Sequence, residues 1–279
     1  LSEYLNEAMV LLKKSPVPDD DSVHDMRVLL KKSRAVLKLI GPQTDQEYNQ
    51  KDINSLKDAA RLMSGWRDTT VLRKTLKELK KEYPDLFAGL SGNQKIDDLL
   101  KKHDAPASPS PEMANGIEEI ENLLKKTAYR IRFQSVQNPN PRLLLKELQQ
   151  TYQRGVEHFV IARNSPKEKK LHDLRKKSKD FLYQLYFFRP LNSRSVKALE
   201  KRLESITKNL GRINDLAQLI TALGYDYTDQ SNTPAYNELI IRMREKQDKY
   251  LEKVWPQASK IFCPGISLVN LLGYKLLVI

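Results

Sequence analysis

A short motif near the start of the chain returns in its second half, and this repetition limits the possible folds more than any other feature. Residues 24–27 read His-Asp-Met-Arg, and residues 172–175, 148 positions later, read His-Asp-Leu-Arg. A second pair of landmarks, Arg-Asp at 67–68 and Asn-Asp at 214–215, is 147 positions apart. Two matched landmarks at nearly one offset indicate a duplicated unit. We therefore expect two related halves.

The sequence favours helices in both halves. Only 10 of the 279 residues are glycine, 40% are apolar, and helical periodicity dominates without an alternating strand pattern. We predict an all-α fold of two antiparallel bundles with about four helices each. A Pro/Ser-rich linker at 104–111 would join the internal repeats 1–103 and 112–279 within one domain. The predicted helices lie near 1–14, 22–40, 46–64, 67–82, 93–102, 112–134, 141–163, 167–188, 193–210, 213–222 and 234–260.

The charge balance predicts an anionic partner. The formal net charge is +13 and the pI is near 9.5, which attracts nucleic acid, anionic lipid or phosphate compounds alike. No run approaches the roughly 20 apolar residues that span a bilayer, so we expect no membrane segment. The single cysteine, Cys263, excludes an intramolecular disulfide and fits a reducing compartment. A cytoplasmic location follows as an expectation.

The first motif helix carries a row of cations on one face. Spacings of three and four residues place its members on a single stripe: His24, Arg27, Lys31, Arg34 and Lys38. Like charges at these spacings repel one another, so folding alone gives no reason for the row. The row therefore predicts a binding surface for an anion.

The second motif helix repeats part of this row. Its cationic members are His172, Arg175, Lys176 and Lys179. Leu182 stands where the first copy has Arg34, and Tyr186 stands where it has Lys38. The second row is therefore shorter, and its far end is more apolar.

Four segments carry a resemblance to a known family: 23–28, 62–68, 171–176 and 210–215. A His-x-x-Arg helix followed by an Arg-Asp or Asn-Asp element, present twice, resembles the CHAD family, the conserved-histidine α-helical domain. The resemblance extends over nearly the whole chain. It implies two pseudo-symmetric four-helix bundles enclosing a basic cavity or pore that binds inorganic polyphosphate, often at polyphosphate granules. Leu182 departs from the family pattern, which has a basic residue there.

Inorganic polyphosphate suits such rows because it is a flexible polyanion with no base to be read. Arginines offer forked donors to phosphate oxygens, whereas lysines act as mobile point charges. His24 and His172 belong to the first turns of their helices, where backbone N–H groups favour anions. Neighbouring cations favour neutral imidazoles, and bound phosphate favours the charged form. Binding should therefore take up protons and strengthen below about pH 7, given a reference histidine pKa of ~6.5.

Further residues are candidates for the same site. Asp68 and Asp215 would accept hydrogen bonds from a motif arginine or histidine and fix its direction, since a carboxylate repels the ligand itself. For Asp68, capping of the following helix is an equally good interpretation. Additional cations complete the predicted phosphate ligands: Arg61, Arg67, Arg130, Arg132, Arg154, Lys208 and Arg212.

Other functions remain open from the sequence. The His-Asp pairs at 24–25 and 172–173 spell the dyad of metal-dependent phosphohydrolases, but such a site needs further converging ligands and these dyads lie among cations. A nucleic-acid-binding protein fits the charge, yet stacking aromatics are not interleaved with the motif cations, so only non-specific binding is expected. A scaffold role is a third alternative. We expect no enzyme activity, no metal and no other cofactor.

Overall fold

The computed structural model describes residues 1–66, 68–101, 109–133, 140–190, 192–224 and 233–273. These ranges are helical and contain no strand, which confirms the all-α prediction. The α-helices within them are α1 Ser2–Lys13, α2 Asp20–Ile40, α3 Gln46–Leu62, α4 Asp68–Glu82, α5 Pro84–Ala88, α6 Gln94–Leu100, α7 Pro111–Phe133, α8 Pro141–Asn164, α9 Glu168–Leu185, α10 Ser193–Leu223, α11 Pro234–Phe262 and α12 Leu268–Leu271.

Most predicted helix bounds agree with the structure to within a few residues, with one clear error. The predicted break between 210 and 213 is absent, because α10 continues through it from Ser193 to Leu223. Gly211 occupies a buried position in the middle of this helix, where glycine costs only about 1 kcal/mol relative to alanine. The short helices α5 and α12 were not predicted, since one or two turns show no periodicity.

The first motif helix, α2, begins at a well-defined cap. The Asp19 carboxylate accepts a hydrogen bond from the Ser22 backbone N–H at 2.6 Å, and this bond lowers the pKa of Asp19. Asp20 and Asp21 follow in the first turn, where negative charge is favourable beside the helix dipole. A short 3₁₀ turn at Gly41–Gln43 follows the last residue of α2.

Contacts divide the chain into two compact units. Unit 1 comprises Leu1–Asp68, Asp104–Gln153 and Asp180–Leu191. In unit 1, α2 packs between α1 and α3, and α7 contacts both α1 and α3. These four helices share one apolar core, in which each fully buried leucine contributes about 1.5–3 kcal/mol. Its largest fully buried side chains are Leu5, Leu12, Met26, Leu30, Leu37, Leu56 and Met63.

Unit 2 comprises Thr69–His103, Arg154–Lys179 and Asn192–Ile279. Here α10 and α11 lie side by side over much of their length. Apolar residues from α4, α5 and α6 join them in a second core. Its buried members include Leu76, Leu79, Phe87, Ile96, Leu216, Leu219, Leu223, Tyr236, Leu239 and Met243.

The compact units do not coincide with the predicted halves. Each unit takes segments from both sides of the predicted linker, of which 104–108 lie outside the described residues. The repeats 1–103 and 112–279 therefore stay a prediction, and they concern similarity within the sequence, not the boundaries of the compact units. The helix α9 contributes to both units: its motif residues up to Lys179 belong to unit 2, and Asp180 and the residues after it belong to unit 1.

Candidate functional site

The cation row of the first motif lies on one uninterrupted helix. From His24 to Lys38 the row extends about 21 Å along α2, at 1.5 Å per residue. His24 and Lys38 are exposed, whereas Arg27, Lys31 and Arg34 are half-buried. Because another face of α2 packs in the core of unit 1, the row is held on a fixed surface.

The motif arginine of the first copy is fixed by the end of the next helix. The Arg27 Nη1 group donates a hydrogen bond to the carbonyl oxygen of Met63 at 3.3 Å. Met63 is the residue that caps the C-terminus of α3, where carbonyl groups lack partners inside the helix. This contact holds one edge of the guanidinium group on the protein.

The second copy repeats this arrangement within unit 2. Arg175 follows Arg27 by 148 residues, and Gly211 follows Met63 by the same offset. A Cβ atom placed on Gly211 would lie 3.3 Å from both Nε and Nη2 of Arg175. The absence of a side chain therefore allows the guanidinium group to lie against the backbone of α10. Both copies place the motif arginine against the equivalent point of the downstream helix.

Replacing Gly211 by alanine should separate stability from binding. The added methyl group displaces the Arg175 guanidinium by a few tenths of an ångström, while the helix gains up to about 1 kcal/mol of propensity. We expect an unchanged or higher melting temperature and roughly threefold weaker binding of the anionic ligand. Gly116→Ala is the matched control, because its Cβ would lie 3.2 Å from a Trp66 ring atom and contacts no cation. Equal affinity in both variants would contradict this role of Gly211.

The motif histidine of the second copy is oriented by an amide. His172 Nδ1 lies 2.9 Å from Asn214 Oδ1, and because an amide oxygen only accepts, Nδ1 carries the proton and donates. Burial lowers the pKa of His172 most strongly, and the nearby charges of Lys176 and Arg175 lower it further. The hydrogen bond to Asn214 and the charge of Asp173 oppose this shift. The ring is therefore neutral near pH 7, and protonation at Nε2 would make it a cation.

A mostly apolar pocket of about 540 Å³ lies beside this histidine in unit 2. Leu171 and His172 line it from α9, and Ile213, Asn214 and Ala217 line it from α10. These apolar walls remove part of the imidazole from water, which is the physical cause of its lowered pKa.

The far end of the α2 row has an acidic neighbour. The Asp180 carboxylate lies 2.7 Å from the ammonium group of Lys38, and both belong to unit 1. Burial lowers the pKa of Arg34, and the negative charge of Asp180 opposes that effect. The Arg34 Nε atom is buried and has no hydrogen-bond partner within the described ranges. A ligand oxygen reaching this donor would supply the missing acceptor.

One predicted phosphate ligand, Arg130, serves a different purpose. Its Nε donates to Asp52 Oδ1 at 2.6 Å, and a second nitrogen donates to the hydroxyl groups of Ser55 and Thr127 at 3.3 Å each. The Asp52 side chain is 0% exposed. Arg130 therefore neutralises a buried carboxylate of unit 1, and it is not among the phosphate ligands that we propose.

Arg212 is likewise engaged inside its own unit. Its Nη1 donates to Glu78 at 3.1 Å and to the Tyr250 hydroxyl at 3.4 Å, and its guanidinium group lies 5.7 Å from the Tyr250 ring centre. These contacts join α10 to α4 and α11 in unit 2. We therefore assign Arg212 to packing as well.

Four further predicted cations lie at the surface. Arg61 is 71% exposed and forms an ion pair with Asp58 at 3.5 Å. Exposed side chains at the other predicted cationic positions are Arg132, Arg154 and Lys208. Exposure keeps these four side chains available to a ligand, and their participation stays a prediction.

Asp68 and Asp215 are the carboxylates that the sequence predicts to orient a motif arginine or histidine. Arg67 and the side chain of Asp68 lie outside what the structure describes. Asp215 is half-buried, and its orienting role stays a prediction. For His172 the orienting group is the side-chain amide of Asn214, the residue before Asp215. The sequence marks the Asn-Asp pair as a landmark, but the prediction gave the orienting role to Asp215 and not to Asn214.

In the described part of the chain, no group of three or more His, Cys, Asp and Glu side chains is placed to hold a metal ion. Asp173 of the second His-Asp pair lies 3.7 Å from the ammonium group of Lys176. None of the helices in the described ranges has the length and hydropathy needed to cross a bilayer.

The chain matches the model of a known protein family. The family model of the CHAD domain matches residues 6–224. That range includes both motif helices, both downstream helices and every member of the two cation rows. A search of the curated proteins found no match.

Proposed function

We propose that this chain, which belongs to the CHAD domain family, binds inorganic polyphosphate through the cations of its two motif helices and does not alter it chemically. The observation that carries the proposal is the repeated placement of the motif arginine. Arg27 rests on the Met63 carbonyl, and Arg175 lies against Gly211 at the equivalent position. A guanidinium group fixed in this way is already oriented, so it would bind phosphate oxygens with little loss of entropy.

The rows favour polyphosphate over nucleic acid. Binding of single-stranded nucleic acid combines backbone cations with aromatic side chains on which bases stack. The helix α2 contains no Phe, Tyr or Trp. On α9, Phe181 and Tyr183 are buried in unit 1 and belong to the packing of that unit. A ligand that consists of phosphates alone needs rows of cations and no stacking partners, and both motif helices carry such rows.

The family resemblance further implies the kind of cavity in which these cations lie and the cellular location of the protein. The proposed ligands of the rows are His24, Arg27, Lys31, Arg34, Lys38, His172, Arg175, Lys176 and Lys179, which we assign to a basic cavity or pore of two pseudo-symmetric bundles. The exposed cations Arg61, Arg132, Arg154 and Lys208 would extend it. Binding of this kind would place the protein at polyphosphate granules in the cytoplasm.

Chain length provides a direct test of this proposal. Several contacts along one molecule share a single association cost, so long-chain polyphosphate should bind at least about tenfold more tightly than tripolyphosphate at equal concentrations of phosphate units. Titration calorimetry measures both affinities, and gel analysis after incubation with Mg²⁺ should recover chains of unchanged length. Equal affinity for both ligands would contradict a row of phosphate sites, and shortened chains would contradict binding without catalysis.

Binding should strengthen as the pH falls. The pKa of His172 in the free protein is lowered from 6.5, and a bound phosphate raises it, so binding takes up a proton. The affinity then rises as the pH falls through the bound-state pKa and levels off below the free-state pKa. Each pH unit between these two pKa values increases the affinity by at most about tenfold. Affinities measured at pH 5.5 and pH 8 should differ, and His24→Gln/His172→Gln should remove most of the difference. A parent protein with equal affinity at both pH values would show that neither histidine gains a proton.

A further inference from the structure

One acidic side chain lies where the proposed ligand should bind. Asp180 is on α9, one residue after the last cation of the second row, but it belongs to unit 1 with α2. Its carboxylate lies 2.7 Å from the ammonium group of Lys38, the last member of the first row. The same charge acts on Arg34, the preceding member of that row.

The two motif helices differ in charge at this point of the repeat. Asp180 stands at the position that Lys32 occupies in the first copy, 148 residues earlier. The three residues after it, Phe181, Leu182 and Tyr183, are buried rather than cationic. The cation row of α9 therefore stops at Lys179, and α9 continues with an acid directed at the end of the α2 row.

The contact between Asp180 and Lys38 can be displaced. The Lys38 side chain is 43% exposed and the Asp180 side chain is 29% exposed. Ion pairs that are partly open to water in this way are weak, because the solvent already screens both charges. A polyanion with several phosphates on the neighbouring cations would compete with one carboxylate at a high local concentration.

We propose that Asp180 is a built-in anion that occupies the far end of the α2 row and reserves that end for polyanions long enough to displace it. This inference rests on the proposed function. The near part of the row, His24, Arg27 and Lys31, would anchor the first phosphates of a ligand. The far part, Arg34 and Lys38, becomes available only when a ligand anchored on the near part replaces the carboxylate. Asp180 thereby keeps short phosphate ligands off Arg34 and Lys38, and its displacement weakens the binding of long chains.

The test compares Asp180→Asn with a matched control. Asparagine keeps the size of the side chain and removes its charge. Asp98→Asn is the control, because Asp98 also forms an exposed pair with a lysine, Lys101, at 2.6 Å, and Lys101 is in neither row. Both variants change the net charge equally. Affinities for long-chain polyphosphate and for tripolyphosphate are measured by titration at several salt concentrations.

We expect Asp180→Asn to bind long-chain polyphosphate about three- to tenfold more tightly than Asp98→Asn. The dependence of log affinity on log salt should steepen by about 0.7 to 1, since the site of the variant carries one more net positive charge beside the bound phosphates. The gain should disappear when Lys38→Met is added. Asp180→Ser provides a second variant if asparagine disturbs the local packing, as judged by the melting temperature.

Two results would overturn the inference. Asp180→Asn and Asp98→Asn could bind equally well, which would mean that the carboxylate does not compete. Asp180→Asn could bind more weakly, which would mean that Asp180 positions Lys38 or Arg34 for the ligand. Either result would leave binding of polyphosphate by the parent protein unchanged. Absence of binding by the parent would instead reject the proposed function itself, so the two failures are distinguishable.

Discussion

Replacing Arg27 and Arg175 together by alanine should lower the affinity for long-chain polyphosphate by about a hundredfold or more. Each guanidinium–phosphate contact contributes roughly 1.5–3 kcal/mol, and the two arginines hold equivalent positions in the two copies. The measurement is a titration of polyphosphate at fixed salt, with thermal unfolding recorded for each variant to establish that it folds.

A control must remove equal charge from another surface. Arg242→Ala/Lys101→Ala serves this purpose, because Arg242 pairs with Glu238 and Glu245, and Lys101 pairs with Asp98. We expect this control to weaken binding only a few-fold through the general field. Arg27→Lys/Arg175→Lys should give an intermediate loss, since lysine keeps the charge but not the forked donors. If the alanine pair and the control lose the same affinity, the motif arginines have no specific part in binding.

Replacing Arg130 by methionine destabilises the protein by about 3–5 kcal/mol near pH 7. The reason is the Asp52 carboxylate, which is 0% exposed and whose Oδ2 has no hydrogen-bond partner in the described ranges. Arg130 supplies its charge-balancing contact at 2.6 Å. Without it, unit 1 would contain an uncompensated buried charge. Urea unfolding measures the loss, and Arg130→Met/Asp52→Asn should restore most of the stability.

The same pair predicts a dependence of stability on pH. Burial raises the pKa of Asp52 above 3.8, and the contact with Arg130 only partly offsets this. The folded state therefore binds more protons than the unfolded state between the two pKa values, and stability falls as the pH rises through the folded-state pKa. Removing Arg130 raises this pKa further, so the loss should be smaller at pH 5 than at pH 8. A loss of under 1 kcal/mol at pH 8 would show that the pair contributes little.

The sequence predicted the helices and the cation rows well because both depend on local periodicity. The cations at 24, 27, 31, 34 and 38 form one stripe in any α-helix, so their common face on α2 could be predicted from spacing alone. The predicted break in α10 failed for a related reason. Gly211 weakens a helical pattern locally, and only the neighbouring Arg175 shows why glycine is present there.

The partners of charged side chains could not be predicted, because they depend on contacts between segments distant in the sequence. Arg130 and Arg212 look like free cations in the sequence, yet Asp52 and Glu78 engage them from 78 and 134 positions away. Asp180 looks like an ordinary surface acid until its distance from Lys38 is known. The Asn-Asp pair is visible in the sequence and marks this position. Only the distance to His172 shows that the amide of Asn214 is the orienting group.

The most direct test of polyphosphate recognition is a competition between polyanions at about 150 mM salt. Labelled long-chain polyphosphate bound to the protein is challenged with unlabelled polyphosphate, single-stranded DNA or double-stranded DNA, at equal concentrations of phosphate. A site built from fixed cation rows should release the label to polyphosphate and retain it against both DNAs, because non-specific contacts weaken steeply with salt. Equal displacement by all three competitors would show that the net charge of +13, rather than the motif helices, determines binding.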